Sequence, residues 1–152
     1  MKILMVCLGN ICRSPLAHGI MEHIVREKGL DWEVDSAGTG DWHIGSAPDR
    51  RSIAIAKNYG LDISNQCCRQ ITVLDFERFD RIFVMDKMNL RDVLSLARTE
   101  EDKRKVKLLL DTEVVPDPYY EDDQFDTVYK MVEDGCRKIL EKELKAESSR
   151  SL

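Results

Sequence analysis

The chain has 152 residues, 43% of them hydrophobic and 34% charged, which suits one folded domain with a single core and excludes a disordered chain. A net charge of −5 argues against a nucleic-acid partner, which would require a dense lysine and arginine face. No apolar run approaches the roughly 20 residues needed to span a membrane, so no membrane association is expected.

Residues 2–6 read as a short buried strand. The run is too brief, and too soon followed by Gly9, Asn10 and Arg13, to be a signal peptide. Ser14 and Pro15 then mark a helix start, with Ser14 at the N-cap and Pro15 in the first helical position. Leu16, Ala17, Ile20, Met21, Ile24 and Val25 follow at helical spacing, and Gly29 supplies a stop. A second strand is predicted over 32–36, leading into a loop that contains Gly38, Gly40 and Gly45. A helix over 48–59 ends at Gly60, a strand follows at 81–85, a helix at 88–97 and a fourth strand at 107–110.

A long loop over 111–122 precedes a last helix whose Phe125, Val128, Tyr129, Val132, Cys136, Ile139, Leu140 and Leu144 form one stripe. Nine carboxylates and one lysine lie from Asp111 to Asp134, and Arg137, Lys138, Lys142 and Lys145 come later, a pattern that complements the helix dipole. From Ser148 the chain reads as a frayed tail, so a single domain is expected over residues 1–147, followed by a tail over 148–152. The alternation of strands and helices points to a parallel sheet with crossover helices.

The five cysteines are an odd number, with no Cys-x-x-Cys pair, and only three histidines accompany them. That pattern favours reduced thiols in a cytoplasmic protein over a disulfide framework or a zinc site. No metal and no cofactor is expected.

The segment Cys7-Leu8-Gly9-Asn10-Ile11-Cys12-Arg13-Ser14 joins the first strand to the first helix. Ligands in an open α/β sheet sit beyond the carboxyl ends of the strands, which makes this a binding position. Gly9 and Asn10 are the residue types that enter left-handed conformations most readily. They allow successive N–H groups to turn inward as a nest for an anion, with the positive end of the helix behind them. That field, together with Arg13, favours a thiolate on Cys7, which places a nucleophile under a bound phosphate. Arg13 can fork two phosphoryl oxygens, and Ser14 can donate to the sulfur. A general acid is still required to protonate the leaving oxygen. Asp117, in Val115-Pro116-Asp117-Pro118-Tyr119-Tyr120, stands in a loop stiffened by two prolines and is the candidate.

The loop Cys7 to Pro15 and the distant Asp117-Pro118-Tyr119-Tyr120 together resemble the low-molecular-weight protein tyrosine phosphatases. Asp35-Ser36-Ala37-Gly38, Asp41-Trp42, Ala47-Pro48-Asp49, Arg69-Gln70-Ile71-Thr72, Asp80, Met85-Asp86 and Asn89-Leu90-Arg91-Asp92 fall in matching order, so the resemblance covers nearly the whole chain. It implies an α/β domain of the phosphotyrosine phosphatase I type, a four-stranded parallel sheet of order 2-1-3-4 with helices on both faces. It implies Cys7 as nucleophile, Arg13 as phosphate binder with the loop residues Leu8 to Cys12, Ser14 as thiolate stabiliser and Asp117 as general acid and base.

The resemblance further implies that Asn10 shapes the loop with help from Ser36, and that Leu8, Trp42 and Tyr119, with Tyr120, wall a cleft for an aryl phosphate. The substrates it implies are tyrosine-phosphorylated proteins, inorganic phosphate is the product, and the protein is a monomer or weak homodimer. Ile11 resembles the tyrosine-specific members, where arginine-phosphatase relatives carry Thr. Cys12 implies a reversible disulfide with Cys7, which would protect the nucleophile.

One departure is Gln66, which stands where eukaryotic members carry a His that supports the loop asparagine; either Gln66 takes over that support through its amide or Asn10 relies on Ser36 alone, so Gln66 is not counted among the site residues. The vicinal Cys67-Cys68 is expected to be structural. Two other readings compete. An arsenate reductase on this fold would need a redox cysteine pair after the third strand, where residues 85–96 contain no cysteine. A non-catalytic phosphotyrosine-binding module would need neither the thiol nor the acid.

Overall fold

The computed structural model describes residues 1–150. β1 (Lys2–Cys7) lies inside a sheet between β2 (Glu33–Gly38) and β3 (Arg81–Val84), with β4 (Val106–Leu108) beyond β3, in the order β2-β1-β3-β4. All three pairings are parallel, as the alternating pattern and the resemblance require.

Side chains alternate across a strand, and β1 divides the core accordingly. Ile3, Met5 and Cys7 face one layer, where α1 (Arg13–Glu27) and α6 (Phe125–Arg150) supply Leu16, Ile20, Val128 and Val132. Leu4 and Val6 face the other, where Phe76 of α3 (Asp75–Arg78) and Val93 of α4 (Lys87–Leu96) pack with Ile82 and Val84. α2 (Arg50–Asn58) packs on the first face through Ala56, and α5 (Glu100–Arg104) buries no side chain. The chain therefore leaves β1 toward β2 and returns on the other side as β3. The end of β1 is a switch point of the sheet, where ligands bind in open α/β folds.

The expected elements are present with shifted ends. β2 begins and ends later than predicted, because Trp32 packs in the core and Ala37 and Gly38 pair with Val6 and Cys7. α2 starts at Arg50, with Asp49 as its N-cap accepting from Arg51 N–H at 2.8 Å. α4 starts at Lys87 under an Asp86 cap, β3 stops at Val84, and β4 covers Val106–Leu108 instead of 107–110. Gly29 and Gly60 hold positive φ angles of 67° and 82° just beyond their helices, as stop signals should. α3 and α5, of four and five residues, are too short to show a helical period in the sequence.

The region read as a frayed tail from Ser148 is helical as far as Arg150, and residues 151 and 152 lie outside the described part. Among the described residues no helix is long and apolar enough to cross a membrane.

Candidate active site

The loop from Cys7 to Arg13 is bound to the fold through its carbonyls. Thr39 N–H donates to Cys7 O at 3.0 Å, Gly40 N–H to Leu8 O at 2.9 Å and Asp49 N–H to Ile11 O at 2.8 Å. The Cys68 thiol donates to Asn10 O at 2.7 Å and the Ser52 hydroxyl to Cys12 O at 3.3 Å. In a planar trans peptide the C=O and the next N–H point in opposite directions. Carbonyls pulled outward therefore turn the N–H groups of Leu8, Gly9, Ile11, Cys12 and Arg13 into the loop, a ring of donors for an anion. Asn10 takes the left-handed conformation that this curvature needs, at φ 57°. Gly38 lets the loop lie against the sheet, since a Cβ there would meet Leu8 O at 2.8 Å and Asn10 N at 2.9 Å.

The side chains expected in the loop converge. Ser14 Oγ lies 3.0 Å from Cys7 Sγ and accepts from Asn10 Nδ2 at 2.8 Å. The hydroxyl proton is thus directed at the sulfur or, less closely, at Ala37 O at 3.4 Å. Ser14 is consequently not the helix cap: α1 begins two residues earlier than expected, at Arg13, with Cys12 at the N-cap and no side-chain cap bond. The hydroxyl is committed to the loop instead.

Ser36 does not bond Asn10 in this structure; its hydroxyl pairs with His18 Nδ1 at 2.9 Å. The Asn10 carboxamide is held by Ser14 and by Arg69 N–H, which reaches Oδ1 at 3.0 Å. Arg69 is itself fixed by ion pairs to Asp35 and to the buried Asp75. Gln66 donates to Pro15 O at 3.0 Å, so its amide braces the helix start rather than Asn10.

Arg13 is 2% exposed. Its Nη1 donates to Asp86 Oδ2 at 2.6 Å and to Val115 O at 2.9 Å, and its Nη2 lies 3.7 Å from Asp117 Oδ2. Burial works against its charge, but Cys7 and the Asp86 and Asp117 carboxylates outweigh it and raise its pKa above the ordinary guanidinium value. Asp86 does double duty, because its Oδ1 caps α4 on Asn89 N–H at 2.8 Å. Sequence reading did not single it out as a site residue. An Asp before a helix signals a cap, and nothing local pairs it with an arginine 73 positions away.

The loop opens into a cleft of about 310 Å³ lined by Leu8, Ile11, Trp42, His43, Asp117, Tyr119 and Tyr120, with Cys7 and Arg13 among its lining residues. Trp42 packs its ring on Gly40 and is 67% exposed, a free wall rather than core. Tyr119 and Tyr120 meet edge to face at 4.9 Å. Asp117 Oδ1 accepts from Tyr119 N–H at 3.1 Å, a short turn that couples the acid to the aromatic wall. Arg51 stacks on the Tyr119 ring at 5.4 Å and on Phe125 at 4.7 Å. His43 and Arg51 were not expected at the site; only the fold brings α2 and the loop before it to this rim.

Cys12 is buried, and burial, with Asp49, Cys7 and Asp117 nearby, pushes its thiol up to about 12. All five cysteines are free, with Cys67 exposed and Cys68 buried.

Sequence and structure comparisons point the same way. The profile described as low molecular weight phosphotyrosine protein phosphatase matches residues 2–150. A human protein of that description is 40% identical over 150 residues, covering 93% of this chain and 94% of the relative. A protein tyrosine phosphatase structure from Entamoeba histolytica superposes with a TM-score of 0.91 at 35% identity, covering 97% and 99% of the two chains. A drosophila arginine phosphatase structure gives 0.88 at 36% identity over 94% and 98%. With a full-length profile match and relatives at this identity, the chain belongs to the low-molecular-weight phosphotyrosine protein phosphatase family.

Proposed function

We propose that the protein hydrolyses phosphotyrosine in proteins, and small aryl phosphates, through a phosphate ester carried on Cys7. The observation that carries this reading is the loop itself, with its N–H groups turned around Cys7, Arg13 buried beside it and Asp117 at 3.7 Å from that arginine.

The phosphoryl dianion would sit on the loop N–H groups with Arg13 forked across two of its oxygens. The Cys7 thiolate attacks phosphorus from below, forming the S–P bond as the P–O bond to the aryl group breaks. Asp117, entering as the carboxylic acid, gives its proton to the departing phenolate. In the second half the Asp117 carboxylate takes a proton from water, whose oxygen attacks phosphorus. The S–P bond breaks, inorganic phosphate leaves and the thiolate is restored. Ser14, 3.0 Å from the sulfur, stabilises that leaving thiolate by donating to it.

Trp42, Tyr119 and Leu8 give a flat ring apolar walls, a reach that the short side chain of phosphoserine would not use. The shared fold of an arginine phosphatase leaves the choice of phosphoamino acid to the cleft. Here Ile11 and the Tyr119-Tyr120 pair favour the aryl ester. Cys12, close to the nucleophile in the same loop, would trap a Cys7 sulfenic acid formed by peroxide as a Cys7–Cys12 disulfide, the thiol proton and the sulfenic hydroxyl leaving as water. Reduced thiols of this kind suit the cytoplasm.

The deciding experiment replaces Cys7 by Ser. Hydrolysis of p-nitrophenyl phosphate should vanish while phosphate binding persists, and surviving hydrolysis would remove Cys7 as nucleophile. The same assay run on phosphotyrosine, phosphoserine and phosphoarginine peptides should rank phosphotyrosine first in kcat/KM. A preference for either of the others would refute the aryl cleft.

A further inference from the structure

Four of the five donors that hold the loop carbonyls are three backbone N–H groups and the Ser52 hydroxyl. The fifth is a thiol, Cys68, whose Sγ lies 2.7 Å from the Asn10 carbonyl oxygen and 3.8 Å from that of Ala47. We propose that Cys68 is a positioning residue of the phosphate loop, its thiol holding the Asn10–Ile11 peptide in the orientation that directs Ile11 N–H into the anion site. The inference rests on the phosphate-loop reading above and adds to it a residue outside the loop.

Asn10 is the point at which the loop is most easily lost. It is a non-glycine residue at φ 57°, a region that residues with a Cβ enter reluctantly, and it is 2% exposed. Its carboxamide is committed to Ser14 Oγ and to Arg69 N–H. Its carbonyl takes the Cys68 thiol. A buried carbonyl deprived of its donor is costly, and the peptide relieves that cost by turning. Because C=O and N–H are opposed in one rigid plane, any such turn swings Ile11 N–H away from the anion. It also shifts the Asn10 amide that holds Ser14, and with it the hydroxyl 3.0 Å from Cys7 Sγ.

Cys68 is equipped for the role. It is 3% exposed, and burial, with Cys7 and Cys67 nearby, pushes its thiol up to about 11, so it keeps its proton at neutral pH. The ion pairs of Arg69 to Asp35 and Asp75 pin the next residue. That anchorage turns Cys68 inward and leaves its neighbour Cys67 at the surface. The vicinal cysteines thus divide into one free surface thiol and one loop anchor.

The test compares Cys68→Ala and Cys68→Ser in the whole protein. The probe is inorganic phosphate, followed by calorimetry and by the Ile11 amide resonance, alongside kcat/KM on p-nitrophenyl phosphate. Removing the donor in Cys68→Ala should weaken phosphate binding about tenfold, as expected for a buried acceptor left unpaired, and should diminish the Ile11 response. Cys68→Ser, which retains a donor, should bind within about threefold of the parent.

Unchanged phosphate affinity in Cys68→Ala overturns the assignment. So does a Cys68→Ser variant weakened tenfold, which would make sulfur bulk the determinant; that comparison holds even where Cys68→Ala folds poorly. Binding is read without turnover. A parent protein that binds phosphate but does not hydrolyse esters would therefore fail the phosphatase reading alone, while equal binding in all three proteins would fail this one alone.

Discussion

Asp117 is the residue on which the proposed chemistry turns, and its surroundings explain how one carboxylate could serve both half-reactions. Oδ1 is held by Tyr119 N–H at 3.1 Å and Oδ2 faces Arg13 at 3.7 Å, so the group is aimed at the phosphoryl position while remaining reachable by water. Asp117→Asn keeps the shape and loses the proton. Phenyl phosphates with poor leaving groups are expected to slow by on the order of 10²–10⁴-fold, the range for general acids, and p-nitrophenyl phosphate far less. The measurement is the slope of log kcat against leaving-group pKa, and equal slowing across the series would exclude Asp117 as the acid. That Cys7, Arg13 and Asp117 belong to one site was legible because each lies in a short motif with its own chemistry. Asp86, His43 and Cys68 were not. Cys68 meets Asn10 across 58 positions, and no local pattern announces such a pair.

At the scale of elements, the proposed chemistry requires the loop that carries Asp117 to be held over the Cys7–Arg13 loop, and α2 supplies the clasp. Arg51 binds Asp49 at the helix cap and Asp122 at 2.6 Å, while its guanidinium stacks on Tyr119 and Phe125. Exposed ion pairs contribute little, about 0–1 kcal/mol, and the stacking adds about 0.5–1 kcal/mol. The clasp therefore orders a loop more than it stabilises a fold. Arg51→Ala should leave the melting temperature within a few degrees and cut kcat several-fold on poor leaving groups, with a smaller effect on p-nitrophenyl phosphate. A variant slowed equally on all substrates would show that α2 acts on the phosphate loop instead of the acid. Helix stripes and glycine stops made α1, α2, α4 and α6 readable. Their exact starts were not, because Ser14, a good cap in isolation, is taken by Cys7 and Asn10 in the fold.

Across the whole molecule, burial raises the pKa of four weak acids that ordinarily ionise in mild alkali, Cys12, Cys68, Tyr129 and Cys136, the last of them fully enclosed. Burial, with nearby negative charge, pushes Cys12 up to about 12, Cys68 to about 11 and Tyr129 to about 12, against ordinary values of 9.0 for the thiols and 10.0 for the phenol. The folded protein holds these protons more tightly than the unfolded chain. The stability they contribute is thus complete below pH 9.0 and is lost progressively as pH rises toward about 12. Thermal melts followed by circular dichroism should show the melting temperature falling through that window, and a flat profile would mean that these groups are not held protonated by the fold.

Fold class, the strand order through the resemblance, and the motifs that carry Cys7, Arg13 and Asp117 were all readable before the chain is folded. Those features reside in periodicity and in contiguous motifs, where neighbours in the chain are neighbours in space. What holds the loop open became visible in the folded chain alone. Asp86 for Arg13, Arg69 and Cys68 for Asn10, His18 rather than Asn10 for Ser36, and Arg51 for the acid loop are all contacts between distant segments. Such contacts come into being when the sheet closes and the backbone groups it buries must each find a partner.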